Sequence, residues 1–142
     1  MSRSKLAFIA SQDEEALTAK RELETKYAHV HEKDADVVVV LGGDGKMLEA
    51  LRHYIDKPVK VFGMNKGTVG FLMNEFSSKH LPERIEAATL VTLHPLRMRV
   101  ETSAGKTEEA LAFNEVSLLR ETSQTAKLRI TIDNTVRMEE LL

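Results

Sequence analysis

The run Gly42-Gly43-Asp44-Gly45 closes a β-branched apolar stretch, Val37 to Leu41, and opens a segment with helical spacing. A buried parallel strand that ends in glycines before a helix puts backbone N–H groups and the positive end of a helix dipole at one sheet edge, where phosphate binds well. Gly42 and Gly43 would let the backbone approach a ligand closely. Asp44 adds a carboxylate that can meet a substrate hydroxyl or a metal-bound phosphate. Asp-Gly pairs also form plain tight turns, and neither spacing nor strand length excludes that reading. Two common nucleotide signatures are absent. The spacing G-x-x-x-x-G-K-[ST] fails because Val40 occupies its first glycine position and Met47 follows Lys46, and G-x-G-x-x-G fails because Leu48 follows Gly43 and Gly45.

Two further stretches carry candidate residues. Asn65-Lys66-Gly67-Thr68-Val69-Gly70-Phe71-Leu72 is a glycine-spaced loop. Gly67 and Gly70 would permit close approach or unusual backbone angles, and Asn65 can shape the loop through side-chain bonds to its backbone. Phe71 beside Leu72 also suits a plain core aromatic. Asn114-Glu115 pairs an amide with a carboxylate, and the same residues could simply satisfy backbone groups at a strand end. His31, His53, His80 and His94 are scattered without metal spacing, so no protein-built metal site is expected.

The elements that must position these residues alternate. Leu6 to Ala10 suits a buried strand, and Asp13 to Tyr27 has helical spacing with Ser11 as its N-cap. Val37 to Leu41 suits a central parallel strand covered on both sides. Met47, Leu48, Leu51 and Ile55 give the next helix its stripe, Pro58 ends it, and Val59 to Phe62 is the next strand. Gly63 to Leu72 reads as loop and Pro82 to Ala88 as helix. This order implies a doubly wound, Rossmann-like α/β domain over residues 1–94. Beyond His94-Pro95, Arg97 to Thr102 alternates, Ser103 to Lys106 reads as a turn, and Glu109 to Leu119 and Lys127 to Ile132 return to β patterning, so residues 95–142 begin a β-rich domain.

Composition narrows the function classes. The 142 residues are 42% hydrophobic and 30% charged, ordinary for a globular chain. Twenty basic and twenty-two acidic residues leave a net charge of −2, which implies no general attraction to nucleic acid or to an anionic membrane. The absence of cysteine excludes disulfides and thiolate metal sites and fits a reducing compartment. The longest apolar run is far shorter than the roughly twenty residues that span a bilayer, and the basic N-terminus lacks a cleavage site, so a cytoplasmic protein is expected.

Leu41-Gly42-Gly43-Asp44-Gly45 before an amphipathic helix resembles the GGDG signature of NAD kinases, shared in related form by lipid kinases and phosphofructokinases. Asn65 to Leu72 resembles that family's N-x-G-x-x-G-F-L loop, and Ala112-Phe113-Asn114-Glu115-Val116 resembles its Asn-Glu block. Three ordered blocks over residues 41–116 single out the dinucleotide enzymes. The resemblance implies phosphoryl transfer from ATP or inorganic polyphosphate, with Mg2+, to the 2′-hydroxyl of the adenosine ribose of NAD. Asp44 would hold that hydroxyl and accept its proton. Gly45 and Phe71, the latter against adenine, would contact NAD, and Asn114 and Glu115 would bind a ribose diol. Gly42, Gly43, Lys46, Asn65, Gly67 and Gly70 would form the phosphate-facing turns. Lys46 departs from the pattern, which more often has a small or hydroxyl residue there; it is either solvated or directed at a phosphate. The resemblance also implies a dimer or tetramer. NAD kinases continue into further β structure with an Asp-Gly element and a Gly-Ser-Thr-Ala-Tyr-like loop, so the 142-residue chain is expected to be a truncated, poor catalyst. The alternatives are a lipid or sugar kinase of the same superfamily, and a module that binds NAD or NADP without turnover.

Overall fold

In the computed structural model, residues 4–68 and 70–141 are described. The chain divides into two compact units, Met1–His94 and Pro95–Leu142.

The first unit is a mixed α/β structure. Its strands β1 (Leu6–Ala10), β2 (Val37–Leu41), β3 (Lys60–Asn65) and the short β4 (Asn74–Glu75) form one sheet in the order β1-β2-β3-β4, with every neighbouring pair parallel. β2 lies centrally and all five of its residues are buried, which is why Val-Val-Val-Val-Leu runs without a polar break. Alternate side chains serve opposite faces. Val37, Val39 and Leu41 join Leu6, Phe8, Phe62 and Met64 under α1 (Glu14–Lys26) and α3 (Leu81–Ala87), through Ala16, Ala19, Leu23 and Leu81. Val38 and Val40 join Ala7 and Met73 under α2 (Asp44–His53), through Met47, Ala50 and the following Tyr54. After α1 the chain passes the outer edge of β1, where the Val30 N–H donates to the Leu6 carbonyl at 2.9 Å, before a 3₁₀ turn, Glu32–Asp34, returns it to β2.

Several expected boundaries move. The N-cap of α1 is Asp13, not Ser11: the Asp13 carboxylate accepts from the Ala16 N–H at 2.8 Å, while the Ser11 hydroxyl donates to Asp13. Ser11 directly follows β1, its N–H bonded to the Leu41 carbonyl. Gly63 to Asn65, expected in a loop, extend β3, because Gly63 leaves the room that Met73 needs to cross it. In α2 the buried face is Met47, Ala50 and Tyr54, with Leu48 and Ile55 half-buried at its margins.

The Asp13 cap gives a pH-dependent prediction. The Ser11 hydroxyl first, and the Ala16 N–H second, hold the Asp13 carboxyl below its ordinary value of 3.8. A lowered carboxyl value stabilises the fold above the unfolded value, and that contribution is lost as the pH falls through the folded value. Asp13→Ala should therefore lower the urea midpoint modestly at pH 7 without changing the slope. The difference from the parent should vanish in strong acid; a midpoint unchanged at pH 7 would remove Asp13 as the cap.

The second unit holds two antiparallel hairpins, β5 (Leu96–Glu101) with β6 (Thr107–Ala112), and β7 (Leu128–Ile132) with β8 (Thr135–Leu141). β patterning expected from Glu109 to Leu119 stops at Ala112. The strand β8 lies beyond the last β segment expected from sequence. Asp133 and Asn134 join β7 to β8 with φ of 48° and 60°, the left-handed pair that a two-residue hairpin loop requires.

Candidate active site

Three chain turns meet at the carboxyl edge of the parallel sheet. β1 ends at Ala10 and leads into Ser11, β2 ends at Leu41 and leads into Gly42-Gly43, and β3 ends at Asn65. Gly42 has φ +140°, and its N–H donates to the Met64 carbonyl at 3.2 Å. Added to Gly42, a Cβ would stand 2.5 Å from Ser11 Oγ and 3.1 Å from Ser11 Cβ. The turn is thus glycine both for its backbone angle and for its packing on β1.

Gly43 is the N-cap of α2 and brings no side chain to cap it, which leaves the Asp44 and Gly45 N–H groups to solvent or ligand, while the Lys46 N–H donates to the Gly43 carbonyl at 3.1 Å. Asp44 is the first residue of α2. Both of its carboxylate oxygens accept main-chain hydrogen bonds from the loop after β3: the Phe71 N–H donates to Oδ2 and the Leu72 N–H to Oδ1, each at 3.0 Å. Gly70 faces this carboxylate so closely that an added Cβ would fall on it. Gly45 is exposed and has open space where a side chain would begin.

The loop is fastened at both ends. Asn65 donates from Nδ2 to the Thr68 carbonyl at 2.6 Å, and its Oδ1 accepts from the Gly67 N–H at 3.3 Å. Asn74 donates to the Gly63 carbonyl at 3.0 Å. Val69, part of the same sequence block, lies outside the described residues. Phe71 is fully exposed, so it is not a core aromatic, and its ring is free for a ligand. Lys46 is not freely solvated: its side chain is 20% exposed and its Nζ meets Glu49 Oε1 at 2.9 Å, which offsets the unfavourable placement of a cation in the first helical turn.

The structure therefore brings together Gly42, Gly43, Asp44, Gly45, Lys46, Asn65, Gly67, Gly70 and Phe71 within the first unit. Asn114 and Glu115 belong to the second unit, both exposed just after β6. Sequence reasoning missed Leu72, whose amide holds Asp44, and the part Ser11 plays against Gly42. The signal for Leu72 was its place directly after Gly70-Phe71; for Ser11 it was the end of β1. Among the described residues no three histidine or acidic side chains converge to hold a metal ion, and no helix is long and apolar enough to cross a membrane.

A family described as the ATP-NAD kinase N-terminal domain matches residues 2–90, which include the glycine turn and the loop that grips Asp44. The chain belongs to the NAD kinase family. It is 51% identical to an NAD kinase of Brucella suis over 137 residues, covering 96% of this chain and 53% of the relative. It is 51% identical to an NAD kinase of Hyphomonas neptunium over its whole length, covering 56% of that relative. With an NAD kinase of Caulobacter vibrioides the identity is 52%, over 98% of this chain and 54% of the relative. The chain thus spans about half the length of these NAD kinases, and the matched stretches include Asn114 and Glu115 as well as Asp44.

Proposed function

We propose that the full-length protein is an NAD kinase that transfers a phosphoryl group from ATP or inorganic polyphosphate to the 2′-hydroxyl of the adenosine ribose of NAD, giving NADP. The observation that carries this reading is the Asp44 carboxylate, fixed at the start of α2 by the loop that also presents Phe71. We infer a doubly wound, Rossmann-like arrangement. Its support is the sense of winding: the chain leaves β1 toward the outer edge, leaves β2 toward β3, and sends α1 and α2 to opposite faces. In open α/β sheets the crevice between two such strands is where ligands bind.

In the reaction, the 2′-oxygen forms a bond to the terminal phosphorus as the donor's bridging P–O bond breaks, and the hydroxyl proton passes to Asp44. The transition state is loose, so positioning and charge neutralisation carry most of the rate and the base orients the nucleophile. Gly42 sets the turn, and Gly43 and Gly45, with open space where side chains would begin, let the phosphates approach the Asp44 and Gly45 N–H groups at the start of α2. Mg2+ brought by the donor would supply charge neutralisation on the transferring phosphoryl group, with no ligand set built by His or acidic side chains of the described residues. Lys46, paired with Glu49, borders the turn, Phe71 stacks on adenine, and Asn114 and Glu115 hydrogen-bond the ribose diol.

The cysteine-free composition supports a cytoplasmic location, and the apolar side chains exposed on the hairpins, among them Leu96, Leu111 and Ile132, support a dimer or tetramer. Nothing in the charge balance favours a nucleic-acid or membrane partner.

A coupled assay for NADP with ATP and with polyphosphate, run beside a calorimetric titration of NAD, tests the reading. Turnover supports it; NAD binding without NADP formation would make the protein a dinucleotide-binding module. In the same titration Glu115→Ala should weaken NAD binding by about 1.5–3 kcal/mol, the worth of a charged acceptor to two hydroxyls. Unchanged affinity would remove Glu115 from the NAD site.

A further inference from the structure

The loop after β3 differs from an ordinary substrate-binding loop in what its backbone touches. Two successive amides, those of Phe71 and Leu72, fork onto the two oxygens of one carboxylate. Such a fork fixes both the position and the rotation of the carboxylate plane, because each oxygen has its own donor. A single hydrogen bond would leave the plane free to turn.

The fork needs an empty space in front of it. A Cβ on Gly70 would clash with the Asp44 carboxyl group, so a side chain there must push the carboxylate or the loop out of the geometry in which both amides reach Asp44. Gly67 and Gly45 have no comparable neighbour: a Cβ on Gly67 would come no nearer than 3.9 Å to Glu15, and one on Gly45 would meet nothing within 4 Å. The need for glycine at residue 70 is therefore specific to the carboxylate.

The loop is tensioned from elsewhere. The Asn65 amide bridges Gly67 and Thr68 and so sets the first turn of the loop without touching Asp44. At the other end Met73 is buried against the α2 face of the sheet, and Asn74 ties back to Gly63.

We propose that Gly70 and Asn65 are positioning residues: Gly70 makes room for the Phe71–Leu72 amide fork that aims the Asp44 carboxylate, and Asn65 holds the loop that carries the fork. This rests on the reading of Asp44 as the base that takes the ribose hydroxyl proton. A base aimed by a rigid fork presents its remaining lone pairs in one direction, where the hydroxyl must come. A base that has lost one arm of the fork must find that direction by chance. The larger consequence falls on the chemical step, since the fork acts on Asp44 alone, and the smaller one on binding comes only through Phe71, which the same loop carries.

The test is steady-state kinetics on the full-length protein with Gly70→Ala, Asn65→Ala and each of these combined with Asp44→Asn. Misplacement of a reacting group by about 1 Å costs roughly 100-fold, so Gly70→Ala should lower kcat by about 100-fold with the KM for NAD within threefold. Asn65→Ala should lower kcat by about tenfold in the same pattern. Because both act through Asp44, neither should lower the residual rate of Asp44→Asn further. Should Gly70→Ala fail to fold by circular dichroism, the Asn65 pair of variants decides the matter alone. Unchanged kcat, a rise in KM with kcat intact, or losses that multiply with Asp44→Asn would each overturn the proposal. A parent protein that forms no NADP would instead overturn the kinase reading on which it rests.

Discussion

Asp44→Asn should lower the rate of NADP formation by about 10²–10⁴-fold, the range that a positioned general base contributes, while NAD affinity stays within about tenfold. On the proposed reaction this substitution has two consequences. The amide cannot accept the ribose proton. It also replaces one carboxylate oxygen by an NH2 group, so that one of the Phe71 and Leu72 N–H donors, each now 3.0 Å from an oxygen, would face another donor. One arm of the fork is lost with the carboxylate. The loop keeps its anchors at Asn65 and Asn74, and the Phe71 ring remains exposed, so binding should outlast catalysis. Initial-rate assays with calorimetric NAD titration check both halves. Turnover equal to the parent would exclude Asp44 from the chemistry.

Gly42→Val should destabilise the fold by about 2–6 kcal/mol, combining a strained backbone angle, worth about 1–3 kcal/mol, with overpacking of similar size. At φ +140° a β-branched residue is opposed by its own backbone, and its Cβ would press on Ser11. Relief would require β1 to part from the turn that follows β2, where the Ser11 N–H now bonds the Leu41 carbonyl at 2.9 Å. Gly42→Ala should show the smaller, mainly backbone part of the loss. Urea denaturation of the two variants separates the terms. A Val variant as stable as the parent would show that the turn relaxes freely, and Gly42 would then not be fixed by packing on β1.

How much of this was legible in sequence depends on the range of the interaction. The β2 strand could be read directly, because a central parallel strand buries both faces and an unbroken Val-Val-Val-Val-Leu run has few other uses. The α1 cap was off by two residues, since Ser11 and Asp13 are both good caps and the choice is made by tertiary contacts of Ser11 with the sheet edge. Sequence ends β3 at Phe62 because Gly-Met-Asn reads as loop, whereas the strand runs to Asn65 with Gly63 packed against Met73, ten residues later. The two-residue β4 has no periodicity to detect. The β8 strand, Thr-Val-Arg-Met-Glu-Glu-Leu, has a charge-rich end that hides its alternation, and its Asp-Asn turn lacks the glycine that usually marks a hairpin.

The site divides in the same way. The glycine turn and Asp44 stand in local sequence, and their resemblance to NAD kinases points to the family. The grip of Phe71 and Leu72 on Asp44 spans 27 and 28 residues and uses main-chain amides, which no side-chain identity reports. Gly70 hinted at it, since a glycine can mark close approach as readily as a turn. What it approaches required the fold.

The central claim is that Asp44 meets the hydroxyl to be phosphorylated, and a crystal structure of the full-length protein with NAD tests it most directly. The account predicts the 2′-oxygen of the adenosine ribose within about 2.6–3.2 Å of an Asp44 carboxylate oxygen, with the Phe71 and Leu72 amides still bonded to that carboxylate. A dinucleotide whose adenosine ribose lies beyond hydrogen-bond reach of Asp44, with another acidic residue at its 2′-oxygen, would contradict it.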